Sequence, residues 1–415
     1  MATQTPTTTR SVNPPDSVGS GIRVRIAVGF TLIAVVASLV GLVASGGSYE
    51  PAPNGLPDSG PFVGWLLPVL GAIGFGAAMA CIGWLLLAGF LDPSAGKKVV
   101  SKRGRAAMLR ASGAAAIWCV ISLIASVFTL ANILGVDLAT AAAPGTFTTY
   151  AWDVSDVRTL LISAVLAAAV AIGAVLSVSL TGTTIWLALA LVAVAAPSTA
   201  GHAVGLGDHG LALVNSVAHA VAATLWVGGL IALGATVWPK AQTVGVAAQR
   251  FGYLAIASVV ILTASGVVNA YVRLGAPADL FTSGYGRLVV AKTLLLIALI
   301  ATAAWIRRRL LPNLDGEQPR RTFAKVAALE LTLMSIATGL GVALSLTAPT
   351  RVAVQFATQA EALLGFEFPA APTVMSVVFG WDLDVLFFVM GIAACVYYTI
   401  GVMRLRSRGD AWPVS

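Results

Sequence analysis

Charge is scarce in this chain. Asp, Glu, Lys and Arg make up 10% of the 415 residues, against roughly 25% in a soluble globular protein. Apolar side chains supply 58%, and the mean hydropathy is +0.90. A water-soluble fold could not cover that much apolar surface with so few charges. The two or three soluble domains that length alone suggests are therefore excluded, and an integral membrane protein remains. Long polar segments are missing as well. No polar stretch exceeds about 35 residues, and neither GxxxxGK[ST] nor HExxH occurs. That leaves no room for an ATPase domain and gives no soluble catalytic pattern, so the chain is read as no enzyme. Cysteine is rare too. Cys81, Cys119 and Cys395 fall in three different apolar stretches, form no CxxC pair and suggest no disulfide framework. Their simplest reading is as small buried hydrophobes.

Apolar runs long enough to cross a membrane are what the chain has in abundance. A span needs about 20 apolar residues, because the hydrocarbon core is ~30 Å thick and a helix rises ~1.5 Å per residue. Ten stretches qualify, near 22–45, 62–91, 106–135, 157–179, 183–199, 210–234, 251–273, 286–306, 323–348 and 384–403. Gly and Ala recur where helices must approach closely. The alternating ten-residue segments of a closed β-barrel do not occur. The fold class expected is all-α, a polytopic helical bundle of about ten transmembrane helices.

The basic residues give the orientation. All but five of the 25 Lys and Arg fall at the N-terminus, in the connections 97–110, 240–250 and 307–325, or at the C-terminus. The five are Arg158, Arg273, Arg287, Lys292 and Arg351. Glu50, Asp58, Asp137, Asp153, Asp208, Asp279, Glu361 and Glu367 lie in the opposite connections. The positive-inside rule then puts both termini in the cytoplasm. The net charge of +8 is a topology signal and not a nucleic-acid footprint. Residues 1–20, rich in Thr, Pro and Ser, read as a disordered tail. The first apolar run is long for the apolar region of a signal peptide and is read as an uncleaved span.

Function in such a chain is written in polar residues placed inside the bundle or at its mouth. The three histidines, His202, His209 and His219, lie within eighteen residues. Pro197 ends the fifth span, and His202 follows in a glycine-rich outer connection. His209 opens the sixth span. His219 lies ten residues further on, roughly 15 Å deeper along a straight helix. Imidazole suits copper, zinc, iron and nickel. One straight helix cannot bring His209 and His219 to one ion, so a relay is expected: His202 and His209 collect an ion at the mouth and His219 receives it inside. The plainer alternative makes His202 and His209 solvated loop residues and has His219 hydrogen-bond a neighbouring helix. A bis-histidine haem would need a second deep histidine on another span, and none exists.

Asn215 lies one turn outward of His219 on the same face. Gly228 and Gly229 permit close packing by another helix. Lys292 in the eighth span and Glu330 in the ninth are the other intramembrane charges. They either pair, or serve a proton or ion path, or snorkel each to its own side. Met334, one turn from Glu330, offers a soft thioether to Cu(I). Tyr285-Gly286-Arg287, and Asn269 with Tyr271, read mainly as interface anchors.

These residues carry a resemblance. Gly201-His202-Ala203, His219-Ala220, Leu225-Trp226-Val227-Gly228-Gly229-Leu230, Arg250-Phe251, Ser265-Gly266-Val267, Tyr285-Gly286-Arg287 with Lys292, and Glu330 resemble the copper resistance D (CopD) membrane family. The resemblance covers 201–349 closely and the five upstream spans, 21–200, more loosely. It implies copper handling, as Cu⁺ or Cu²⁺, across the cytoplasmic (plasma) membrane of a bacterium. His202 and His219 would be ligands, and Lys292 and Glu330 core polar residues. After an outer connection at 350–383, residues 384–415, with Trp381-Asp382 before them and Arg404 to Pro413 within them, resemble the opening of a CtaG-like cytochrome c oxidase assembly module. Actinobacterial proteins similar to this one fuse the two modules, whereas this chain stops after one span of the second. Expected partners are membrane lipid, a periplasmic copper chaperone and cytochrome c oxidase subunits. The rival readings are a non-transporting assembly partner of the oxidase and a haem-bearing membrane redox protein.

Overall fold

The computed structural model describes residues 16–49, 51, 57–92, 98–200, 209–237, 241–305, 308–309 and 317–350. Among them, nine helices are long and apolar enough to cross a membrane, and they coincide with the first nine expected spans to within a few residues. The expected tenth span, at 384–403, lies outside the described residues. So do the connection at 351–383 and the stretch 384–415 that was expected to open a CtaG-like module.

The helices are α1 (Asp16–Ser45), α2 (Pro61–Leu86), α3 (Lys102–Leu134), the short outer helices α4 (Leu138–Ala142) and α5 (Pro144–Tyr150), α6 (Ser155–Leu176), α7 (Leu180–Ala195), α8 (His209–Val237), α9 (Ala241–Arg273), the outer turn α10 (Asp279–Thr282), α11 (Gly284–Trp305) and α12 (Glu317–Leu346). α1 begins inside the stretch expected to be irregular. No strand occurs among the described residues beyond an isolated bridge between Val99 and Ser179.

Local chemistry sets the helix ends. Ser101 caps α3 by accepting from the Gly104 N–H at 2.9 Å, and Ser179 caps α7 through Gly182 at 3.0 Å. A side-chain oxygen there satisfies one of the N–H groups the first turn leaves orphaned. Pro197 ends α7 in a single 3₁₀ turn, Ala196–Thr199. At the inner end of α6 the orphans are carbonyls, and Arg105 donates to three of them, on Ala174, Val175 and Ser177. The inner end of α2 widens into a π-helical turn, Leu87–Leu91. Arg250 of α9 donates to the Phe90 and Asp92 carbonyls at 3.2 and 3.3 Å. The Arg250-Phe251 pair is thus part of the scaffold.

The main core runs through α2, α3, α6, α7, α8 and α9 and reaches into α11 and α12. α1 lies along α12, and α2 crosses α8. That crossing is a backbone-on-backbone contact. A Cβ added to Gly83 would stand 2.3 Å from the Gly228 carbonyl oxygen, and one on Gly228 would stand 2.8 Å from the Met79 carbonyl oxygen. Only glycine fits at either position. Large apolar side chains on the outside of the bundle, such as Val165, Ile172, Val260 and Leu294, are exposed, as a lipid-facing surface requires.

Candidate functional site

The site is assembled where α8 and α9 run antiparallel. Ala212 packs against Val268 and Val272 near the outer end. One turn deeper, Ser216 Oγ accepts from the Arg273 guanidinium at 3.0 Å, and Arg273 also donates to the Asn269 side-chain oxygen. Next comes His219, whose Nδ1 lies 3.0 Å from Ser265 Oγ. Further in, the Gly229 face receives the Phe251 ring. The Trp-Val-Gly-Gly run is therefore a packing motif. Trp226 is buried, Gly228 meets α2, and Gly229 meets α9.

The contact engages Nδ1, and the tautomer decides which atom donates. Ser265 is buried and its hydroxyl also lies 3.3 Å from the Leu262 carbonyl. With the Ser265 proton on that carbonyl, Oγ accepts from Nδ1–H, and that tautomer leaves the lone pair on Nε2. Among the described residues, none hydrogen-bonds Nε2. Metal-ligating histidines use one nitrogen this way to fix tautomer and ring orientation, leaving the other to the metal. Arg273, held by Ser216 one turn outward of His219 on α8, brings a cation to the same end of the site.

The remaining expected site residues spread further apart. His202 lies outside the described residues. His209 begins α8, and its side chain is likewise outside them. α8 is unbroken from His209 to Val237, so His209 and His219 stay about 15 Å apart along it and cannot share one ion. Asn215 is buried on the His219 side of the helix. Met334 is buried to 2% exposure, one turn from Glu330 at 5%. Thr338, one turn outward again, lies 3.9 Å from Met79 Sδ. Among the described residues, no group of three or more His, Cys, Asp and Glu is close enough to hold a metal ion.

Lys292 and Glu330 do not bond each other. The Lys292 ammonium points outward to the level of Gly341, eleven residues from Glu330 on α12, or about 16 Å. Tyr285 is buried at 4% exposure and so does not face outward as an interface anchor would; the α10 turn packs on its neighbour Gly286. Tyr271, at 70% exposure, faces outward as expected. Sequence reasoning did not assign roles to Ser265, Ser216 and Arg273. The signal for Ser265 was its place in Ser265-Gly266-Val267. For Arg273 it was an arginine left over when the inner loops were counted.

Residues 245–344 match the family model of Copper resistance protein D. Over that stretch the chain is similar to CopD. The matched stretch holds Arg250, Ser265, Arg273, Lys292, Glu330 and Met334, while His219 reaches it from α8. Two curated proteins are similar to nearly the whole chain, Mb0105 of Mycobacterium bovis and MT0111 of Mycobacterium tuberculosis. Each is 26% identical over 416 aligned positions, which cover 99% of this chain and 59% of the relative. The chain thus spans about three fifths of the length of these relatives. No solved structure matches it.

Proposed function

We propose that this multi-pass membrane protein handles copper in the plasma membrane of a bacterium, taking the ion from the outer side through His219. The observation that carries the reading is the His219–Ser265 hydrogen bond, which leaves Nε2 without a partner among the described residues, beside the stretch that matches the CopD model. Copper is cargo here. It would be collected at the outer mouth by His202 and His209 and handed to His219 deeper in α8. Asn215 lines the same face between them. Lys292 and Glu330 set the electrostatics at two levels of the bundle, and Met334 offers a soft group one turn from Glu330. Delivery toward oxidase assembly belongs to this reading only through the CtaG-like tail.

The test is bound metal per chain, by elemental mass spectrometry on detergent-purified protein after controlled copper loading. Wild type is compared with His219→Ala and with His219→Gln, which keeps a polar side chain. The expected result is copper in the wild type and loss in both variants. Equal copper in all three would remove His219 from the path. No copper in any of them would leave the assembly-partner reading, and iron with a Soret band would leave haem.

A further inference from the structure

The two helices that carry the His219–Ser265 contact share one reference, the inner half of α2. α8 is locked to it where Gly228 meets the Met79 carbonyl and the Gly83 backbone. α9 is fastened to it where Arg250 donates to the Phe90 and Asp92 carbonyls at 3.2 and 3.3 Å. The last carbonyls of a helix have no intrahelical partner, and a cation there also meets the negative end of the helix dipole. These acceptors are themselves held in place. The Asp92 N–H closes the π-helical turn on the Leu87 carbonyl at 3.0 Å. The Asp92 side chain is buried and accepts from Ser101 Oγ, the cap of α3.

The outer half of α9 inherits this hold. α9 is one unbroken helix, Ala241–Arg273, so Arg250 and Ser265 move as one body although they lie about 22 Å apart along it. The Phe251 ring on Gly229 keeps α9 against α8, but apolar contact has little direction. Hydrogen bonds have direction. At the outer end Arg273 bonds the Ser216 hydroxyl, which rotates about a single bond. At the inner end Arg250 bonds two backbone carbonyls, which do not. A slip of one residue along α9 would move Ser265 by ~1.5 Å and turn it by about 100°, and that takes Oγ off the imidazole.

We propose that Arg250 is a positioning residue for His219. By fixing α9 to the π-helical turn of α2, it sets the register at which Ser265 meets Nδ1 from across the bundle. Its meaning for copper rests on the function proposed above, whereas its hold on the ring does not.

Full-length protein carrying histidine labelled with heavy nitrogen tests this in detergent micelles, because long-range proton–nitrogen spectra read both ring nitrogens of each imidazole. His219→Gln identifies the His219 signals, and Ser265→Ala gives their positions for a released ring. In Arg250→Gln the His219 signals are expected to move most of the way to those positions, while the His202 and His209 signals stay. Arg250→Lys keeps a cationic donor and should return them toward the wild type. Thermal midpoints control for folding. Ser101→Ala loosens Asp92 without touching α9, should move the same signals less far, and decides the matter where Arg250→Gln fails to fold. His219 signals at their wild-type positions in the deciding variant would overturn the positioning role. Copper affinity in Arg250→Gln is expected to fall about tenfold, as for a lost supporting contact. Moved signals with unchanged copper affinity would remove the copper reading and leave the positioning role standing.

Discussion

The imidazole of His219 is tied across a helix interface, its Nδ1 3.0 Å from Ser265 Oγ. Ser265→Ala removes that partner, leaves Nδ1 unpaired and frees the ring to turn. Loss of such a supporting contact typically costs 10- to 100-fold in metal affinity. Ser265→Ala is expected to weaken copper binding by about that factor with the fold intact, and Ser265→Thr to retain most of it. Competition against a chromophoric copper chelator measures both. Equal affinity in wild type and Ser265→Ala would mean the hydroxyl only packs.

The α2–α8 crossing gives a stability prediction. A Cβ on Gly228 meets the backbone of α2, which cannot yield as a side chain can. Gly228→Val is expected to cost at least about 3 kcal/mol, the upper end of ordinary overpacking, and to lower yield and thermal midpoint together. Gly234 lies on the same helix with nothing within 4 Å of an added Cβ. Gly234→Ala should be neutral or stabilising by up to about 1 kcal/mol, from helix propensity. Similar midpoints for the two variants would show that the crossing is looser than the structure has it.

Much of this fold was legible because the membrane leaves so few options. Scarce charge and long apolar runs give the number and place of the nine described spans, and the one-sided basic loops carry their expected direction. The glycines at 228 and 229 announced close packing, and Pro197 announced the end of α7. The site was half legible. A mid-membrane histidine stands out on any reading, but its partner Ser265 is one of many serines in apolar helices. Nothing local marks it, since the contact joins residues 46 apart through the α8–α9 packing. Arg273 is similar. Its sequence neighbours suggest an interface anchor, and only the facing Ser216 turns it inward. Lys292 and Glu330, both charged and deep, left pairing, an ion path and snorkelling open. The outward reach of the lysine separates them.

The outer connection after α9 should loosen in acid. Thr350 Oγ1 donates to Asp279 Oδ2 at 2.8 Å, and the Gly275 and Ala276 N–H groups donate to the same oxygen. The Thr350 hydroxyl first, and then these amides, hold the Asp279 carboxyl below its ordinary value of 3.8. A carboxylate with a lowered pKa contributes stability that is complete above the ordinary value and lost as pH falls through the folded one. Wild type should therefore melt above Asp279→Asn at neutral pH, and the gap should close below about pH 3.8. A gap that stays constant from pH 6 to pH 3 would show that the carboxylate charge is not what fastens this turn.

Lys292 and Glu330 supply the last prediction, because the two geometries once open to them differ in a measurable quantity. A bonded pair inside the membrane would couple strongly, since removing one partner strands the other. Here the ammonium sits at the level of Gly341 and the carboxylate about 16 Å inward along α12. Sites more than 7–10 Å apart with no shared partner usually add within about 0.5 kcal/mol. Lys292→Gln and Glu330→Gln should thus shift unfolding in detergent independently, and the double variant should show their sum. Each single change removes a charge that has no ion-pair partner among the described residues, so neither should strand the other. A coupling above about 1 kcal/mol in that cycle would bring the two groups together and contradict the outward reach of Lys292. Additivity would place the two charges in separate halves of the membrane, one at the level of Gly341 and the other one turn from Met334.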